Sequence, residues 1–209
     1  MLLTISLLLL ILIGAVLWCL AKDRADERWA LFSTQLVAAL ACESFAFYWS
    51  FQGWPNQWMY NAYFTAEFAL LFGFAGPDRG GNRALLGGVL YLGLQLFEAL
   101  LRGGYDRFCN YTYLSGALVL TGLYLHRCYT LAARSDGPVL SVPRAWAYLS
   151  IVTWFGASIP FNGVLNYLVA HELPLAVKLY SINEMLALMR YGLVFIAGCV
   201  ALTRAYRPS

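Results

Sequence analysis

Apolar runs long enough to cross a bilayer as helices recur seven times along this chain, each set off from the next by a short break of charged residues, glycine or proline. The runs lie at about 2–20, 30–50, 58–75, 84–101, 109–130, 144–169 and 175–203. A hydrocarbon core about 30 Å thick takes roughly 20 helical residues, so seven spans use about 140 residues. The 209 residues present leave only short connections. The alternating ten-residue segments of a membrane barrel are not seen. The expected fold class is therefore all-α: a polytopic membrane protein, a bundle of about seven transmembrane helices forming one integral membrane domain over 1–209.

Composition closes off the soluble alternatives. Charged residues make up 12% of the chain and hydrophobic ones 61%, where a soluble domain carries roughly 25% charged residues. So few charges cannot cover a water-facing surface, which excludes a soluble enzyme, a nucleic-acid binder and a disordered chain. The lipid bilayer is an expected partner, and no nucleic acid is expected. The five cysteines, Cys19, Cys42, Cys109, Cys128 and Cys199, are scattered in or beside apolar runs without CxxC spacing, so they read as small hydrophobes. Leu2 to Leu20 has neither a positive leader nor an A-x-A site, and a retained first helix is expected there.

Orientation follows from the Lys and Arg in the breaks. Lys22, Arg24, Arg28, Arg79, Arg83, Arg127, Arg134, Arg144, Arg204 and Arg207 fall on one side, and only Arg102, Arg107 and Lys178 on the other: ten against three. This places the N-terminus outside and the C-terminus in the cytoplasm. Tyr48, Trp49, Trp54, Trp58 and Tyr60 gather at one outer boundary and read as an interfacial aromatic belt, the alternative being a lid. Pro160 lies inside the sixth run, where a kink is expected. No internal repeat is visible. The short loops fit a bacterial inner membrane.

The informative residues are the polar ones inside the runs. All five aspartates sit in breaks, but Glu43, Glu67, Glu98 and Glu184 do not. A carboxylate in hydrocarbon needs a partner, a cavity or a proton. At 1.5 Å per residue, Glu43, Glu67 and Glu184 lie about 12–14 Å from the outer ends of their helices. Asn61, Asn110, Asn162, Asn166 and Asn183 share that outer half. Helical spacing groups Tyr60, Tyr63 and Glu67 on one face; Tyr91, Gln95, Glu98 and Arg102 on another; and Tyr180, Glu184 and Tyr191 on a third. Glu98 with Arg102 is an expected i, i+4 ion pair. Arg190 is too far round its helix from Glu184, so Glu67 or Glu43 is its expected partner, and such a pair could do no more than fix helix register. The asparagines and Gln95 could equally be interhelical hydrogen-bond glue.

Recognisable catalytic sets are missing from the sequence. No aspartate pair lies in the spans, no G-x-S-x-G or phosphate-binding glycine loop occurs, and His126 and His171 fall on opposite sides of the membrane. Cys42 beside Glu43 has the wrong surroundings for a nucleophilic thiolate. No motif is long enough to carry a family resemblance, and cofactor and metal are left undetermined. The expected function is binding of a small cationic or zwitterionic molecule, as a transporter or sensor, in a pocket in the outer half of the bundle. Its expected residues are Glu43, Glu67, Glu184, Arg190, Asn61, Asn162, Asn166, Asn183, Tyr60 and Tyr180. A structural or protein-partner-binding subunit is the alternative, and an intramembrane enzyme acting on a lipid or isoprenoid the third reading.

Overall fold

A computed structural model describes residues 2–21, 28–76, 81–104, 108–135 and 137–205. Lys22, Arg24, Arg79, Arg107 and Arg207, used above for orientation, lie outside these. The side chains of Arg28, Asn166, Tyr180 and Arg204 also fall outside what is described.

The described chain is all-helical, with seven α-helices and no strand: α1 Leu2–Ala21, α2 Arg28–Phe51, α3 Gln57–Phe74, α4 Gly81–Arg102, α5 Asn110–Arg134, α6 Pro143–His171 and α7 Leu173–Ala205. Each apolar run has become a helix, with ends within a few residues of the expected ones. Four helices are by themselves long and apolar enough to cross a membrane, over Thr4–Ala21, Trp29–Phe51, Asn82–Arg102 and Ser181–Thr203. Large apolar side chains point outward on all four, among them Leu9, Leu12 and Val16 on α1, Val37 and Phe45 on α2, Leu90 and Leu100 on α4, and Met185 and Met189 on α7. Water would penalise so much contiguous apolar surface; lipid does not.

The helix ends follow local chemistry. Gly53 takes φ +73° just beyond α2, and the Gly53 and Trp54 amides donate to the Ser50 and Trp49 carbonyls. Gly103, at φ +78°, ends α4 in the same way, with the Gly104 amide donating to Ala99. Only glycine adopts this left-handed cap without strain. Pro143 opens α6, where its missing N–H leaves nothing unpaired. Pro160 does not interrupt α6, which runs on to His171.

The chain divides into two compact units, Ile11–Gly116 and Met1–Leu10 with Ala117–Ser209. In the Ile11–Gly116 unit, α3 lies between α2 and α4. Aromatic rings close the end of this unit where α1 stops, with Trp18 on Trp29 at 3.7 Å, Trp18 on Phe32 at 4.7 Å and Phe32 on Phe74 at 5.0 Å between ring centroids. Small residues let the helices approach closely. A Cβ on Gly87 would meet the Phe72 ring at 2.7 Å, and one on Gly116 would meet Tyr91 at 2.5 Å. In the other unit α6 packs along α7, and Tyr124 of α5 lies against Tyr148 of α6 with centroids 5.4 Å apart.

Candidate functional site

Most of the buried polar side chains of the Ile11–Gly116 unit fall into three layers. The first lies on the α2–α3 seam. Phe32, Leu36, Ala39, Cys42 and Ala46 repeat at three- and four-residue intervals and form the buried face of α2. Gln35 falls within that stripe and is 0% exposed, as is Glu67 on α3. Gln35 Nε2 donates to Glu67 Oε1 at 2.8 Å and to the Tyr63 hydroxyl at 3.2 Å, and that hydroxyl donates to Glu67 Oε1 at 2.9 Å. The carboxylate fixes the amide's orientation, since a reversed amide would set oxygen against oxygen. Gln35 Oε1 is then left buried with no hydrogen-bond partner. About two turns along the same seam, the Tyr60 hydroxyl donates to the half-buried Glu43 Oε2 at 3.4 Å.

The second layer joins α3 to α4 and to the start of α5. Gln95 Nε2 donates to the Asn61 carbonyl at 2.9 Å, and the Thr65 hydroxyl donates to Gln95 Oε1 at 2.6 Å. The Asn61 side chain accepts the Cys109 amide through Oδ1 at 3.0 Å. This layer is an interhelical clasp. The third layer caps α5: Glu98 accepts the Tyr111 amide at 3.1 Å on Oε1, and the Thr112 amide and hydroxyl at 2.7 and 2.8 Å on Oε2. Arg102 Nε stands 3.4 Å from the same carboxylate and its guanidinium lies 4.5 Å over the Tyr111 ring. The expected i, i+4 pair is present, and Glu98 also supplies the acceptors that the first amides of α5 lack.

The remaining expected residues lie in the other unit. Arg190 is 3% exposed, its guanidinium 5.5, 5.7 and 5.2 Å from the rings of Trp154, Phe155 and Tyr191. Asn162 donates to the Ser158 carbonyl one turn back on α6 at 3.0 Å. Asn183 and Glu184 are half-buried on α7. Within the Ile11–Gly116 unit, Glu43 meets Tyr60, Glu67 meets Tyr63, and Asn61 joins the clasp. Among the described residues no three His, Cys, Asp or Glu side chains gather at metal-ligand spacing. The Glu67 layer can therefore offer oxygen atoms to a proton or a monovalent cation better than to a metal that needs several carboxylates.

Sequence reasoning missed Gln35, Thr65, Thr112 and Trp154. For Gln35 a signal existed: it sits at the α2 positions that repeat with Phe32, Ala39 and Cys42. Comparison with protein-family models, with curated proteins and with solved structures found no match.

Proposed function

We propose that this chain is an integral membrane protein whose α2–α3 seam binds a proton or a small monovalent cation, ammonium groups included, and that it serves as a transporter or a sensor. One observation carries the reading: wholly buried Gln35 commits both Nε2 contacts to Glu67 and Tyr63 and leaves Oε1 without a donor. A polar atom unfilled in a low-dielectric interior costs on the order of 1–3 kcal/mol, and more where lipid surrounds the helices. A positively charged donor beside the Glu67 carboxylate answers that cost. Glu43 and Tyr60, half-buried on the same seam, form its approach.

In this reading all seven helices cross the membrane as one domain, with the N-terminus outside. The excess of basic residues in the odd-numbered breaks supports the orientation, and the Trp49, Trp54 and Trp58 cluster fits an outer interface, with Trp54 52% exposed. The bacterial inner membrane is the proposed location.

The test is thermal unfolding of the detergent-purified protein from pH 5 to 9 and against sodium, potassium, ammonium and methylammonium. A cation at about 100 times its dissociation constant adds roughly 2.7 kcal/mol of stability. That gain should vanish in Glu67→Gln while the cation-free midpoint stays close to wild type. A second reading, a structural or partner-binding subunit, draws on the Asn61–Gln95–Thr65 clasp, whose polar groups satisfy one another. It is favoured if neither pH nor any cation acts through Glu67 and crosslinking captures a stoichiometric partner.

A further inference from the structure

Arg102 is the last residue of α4 and continues the buried stripe of Tyr91, Gln95 and Glu98. Its Nε stands 3.4 Å from Glu98 Oε1, and one face of its guanidinium covers the Tyr111 ring. Glu98, however, already accepts the Tyr111 and Thr112 amides and the Thr112 hydroxyl. Arg102 thus shares a carboxylate with three other donors, and its charge is only partly answered. A guanidinium carries five N–H donors, and among the described residues the two Nη groups of Arg102 have no acceptor. In the break that follows, Asp106 and Arg107 cancel in formal charge.

An apolar stripe runs beside this cation. Leu90, Leu94, Phe97 and Leu101 recur at four- and three-residue steps, so they share one face of α4, and each is more than half exposed. Leu101 directly precedes Arg102. From Leu90 to Leu101 the stripe covers about 16 Å of helix, close to one leaflet of a hydrocarbon core about 30 Å thick. The segment Asn82–Arg102 is one of those long and apolar enough to cross a membrane. Arg102 therefore stands where the apolar segment ends, at the level of lipid headgroups.

We propose that the α4–α5 corner binds one phospholipid, with the Nη edge of Arg102 donating to its phosphodiester and an acyl chain lying along Leu90, Leu94, Phe97 and Leu101. A planar guanidinium can give a phosphate two parallel hydrogen bonds. The Tyr111 ring and Glu98 hold that plane before the lipid arrives, so less side-chain freedom is lost on binding. The site shares no residue with the Glu67 cation site and does not rest on that reading.

The test uses the full-length protein purified in a neutral detergent. Unfolding midpoints, and the lipids retained in native mass spectrometry, are followed against phosphatidylglycerol, diacylglycerol with the same chains, and soluble glycerol phosphate. Wild type should be stabilised saturably by phosphatidylglycerol and by neither of the others. Arg102→Gln should weaken that response about tenfold or more, the loss of one charge-assisted contact, and should retain one lipid fewer. Its lipid-free midpoint should stay near wild type, because the Arg102–Glu98 pair is partly exposed. Arg134→Gln removes the same charge from an exposed position at the end of α5 and should respond as wild type does, as should Glu67→Gln. The proposal is overturned if Arg102→Gln keeps the wild-type response, if Arg134→Gln weakens it equally, or if diacylglycerol serves as well as phosphatidylglycerol. It is also overturned if glycerol phosphate alone reproduces the shift, which would make the ligand a soluble anion. Tyr111→Leu, which keeps the backbone amide for Glu98, should weaken the same response; should Arg102→Gln fail to fold, a wild-type response in Tyr111→Leu overturns the proposal.

Discussion

Replacing Glu98 should uncouple the start of α5 from α4. The carboxylate is 6% exposed and accepts two backbone amides and one hydroxyl from Tyr111 and Thr112. In Glu98→Ala those amides keep no acceptor. Hydrogen bonds to a charged group are each worth about 1.5–3 kcal/mol, while cap losses measured whole run to about 2 kcal/mol. Because the bonds share one carboxylate they do not add fully, and a total loss of about 3–4 kcal/mol follows. Loss of the Arg102 pair adds little, since that side chain is 29% exposed at its open end. Glu98→Gln isolates the charge. Its oxygen can still accept from Thr112, but its NH2 then faces the Tyr111 amide and Arg102, donor against donor, and about half the loss should remain. The assay is reversible unfolding in detergent combined with hydrogen exchange at the Tyr111 and Thr112 amides. Both amides should exchange faster in Glu98→Ala, with the core of α2 unaffected at low denaturant. Stability within about 0.5 kcal/mol of wild type, with unchanged protection, would refute the capping argument.

Other perturbations test the packing. Gly116→Val drives a side chain into Tyr91, already 2.5 Å from where the Cβ would stand, and should lower stability by about 1–3 kcal/mol as overpacking does; Gly122→Ala, with open space at its Cβ, should be near neutral in the same unfolding assay. Asn61→Leu orphans the buried Cys109 amide and should cost about 1–3 kcal/mol, seen as a lower midpoint and faster exchange at Cys109. Gly53→Ala imposes a side chain at φ +73° and should cost about 1 kcal/mol, with no change in helix content by circular dichroism.

Much of the architecture was legible in the sequence because hydrocarbon imposes a length rule on each apolar run. Breaks such as Phe51 to Asn56 and Arg102-Gly103-Gly104 carry their own turn chemistry, so the ends of α2 and α4 could be read locally. The i, i+4 pair of Glu98 and Arg102, and the Tyr63–Glu67 stripe, were readable for the same reason: both are short-range. What was not legible depends on how one helix is set against another. Gln35 shares the α2 periodicity of Phe32, Ala39 and Cys42, but its partners on α3 stay hidden until that helix is laid beside it. Thr112 looks like an ordinary hydroxyl until the turn after α4 returns it to Glu98, fourteen residues back. Asn61 was grouped with ligand-binding residues from its depth alone, and depth does not reveal that its oxygen holds the Cys109 amide. Trp154 drew no attention because a tryptophan in an apolar run needs no partner in the sequence, whereas a buried indole N–H needs one in space.

The burden carried by α3 bears on how the chain enters the bilayer during synthesis. Its 18 residues include Tyr60, Asn61, Tyr63, Thr65 and Glu67, and it is not among the helices apolar enough to span alone. When α3 leaves the ribosome, Gln35 has already been made, but Gln95, the partner of Thr65, is thirty residues away. At 5–20 residues per second that is a wait of about 2–6 s. In the proposed seven-span arrangement a nascent α3 would be held in lipid by its hairpin with α2, and the arrival of α4 would complete its partners. Truncation after residue 80 should leave α3 accessible to water-soluble thiol reagents at an introduced cysteine, and truncation after residue 104 should protect it.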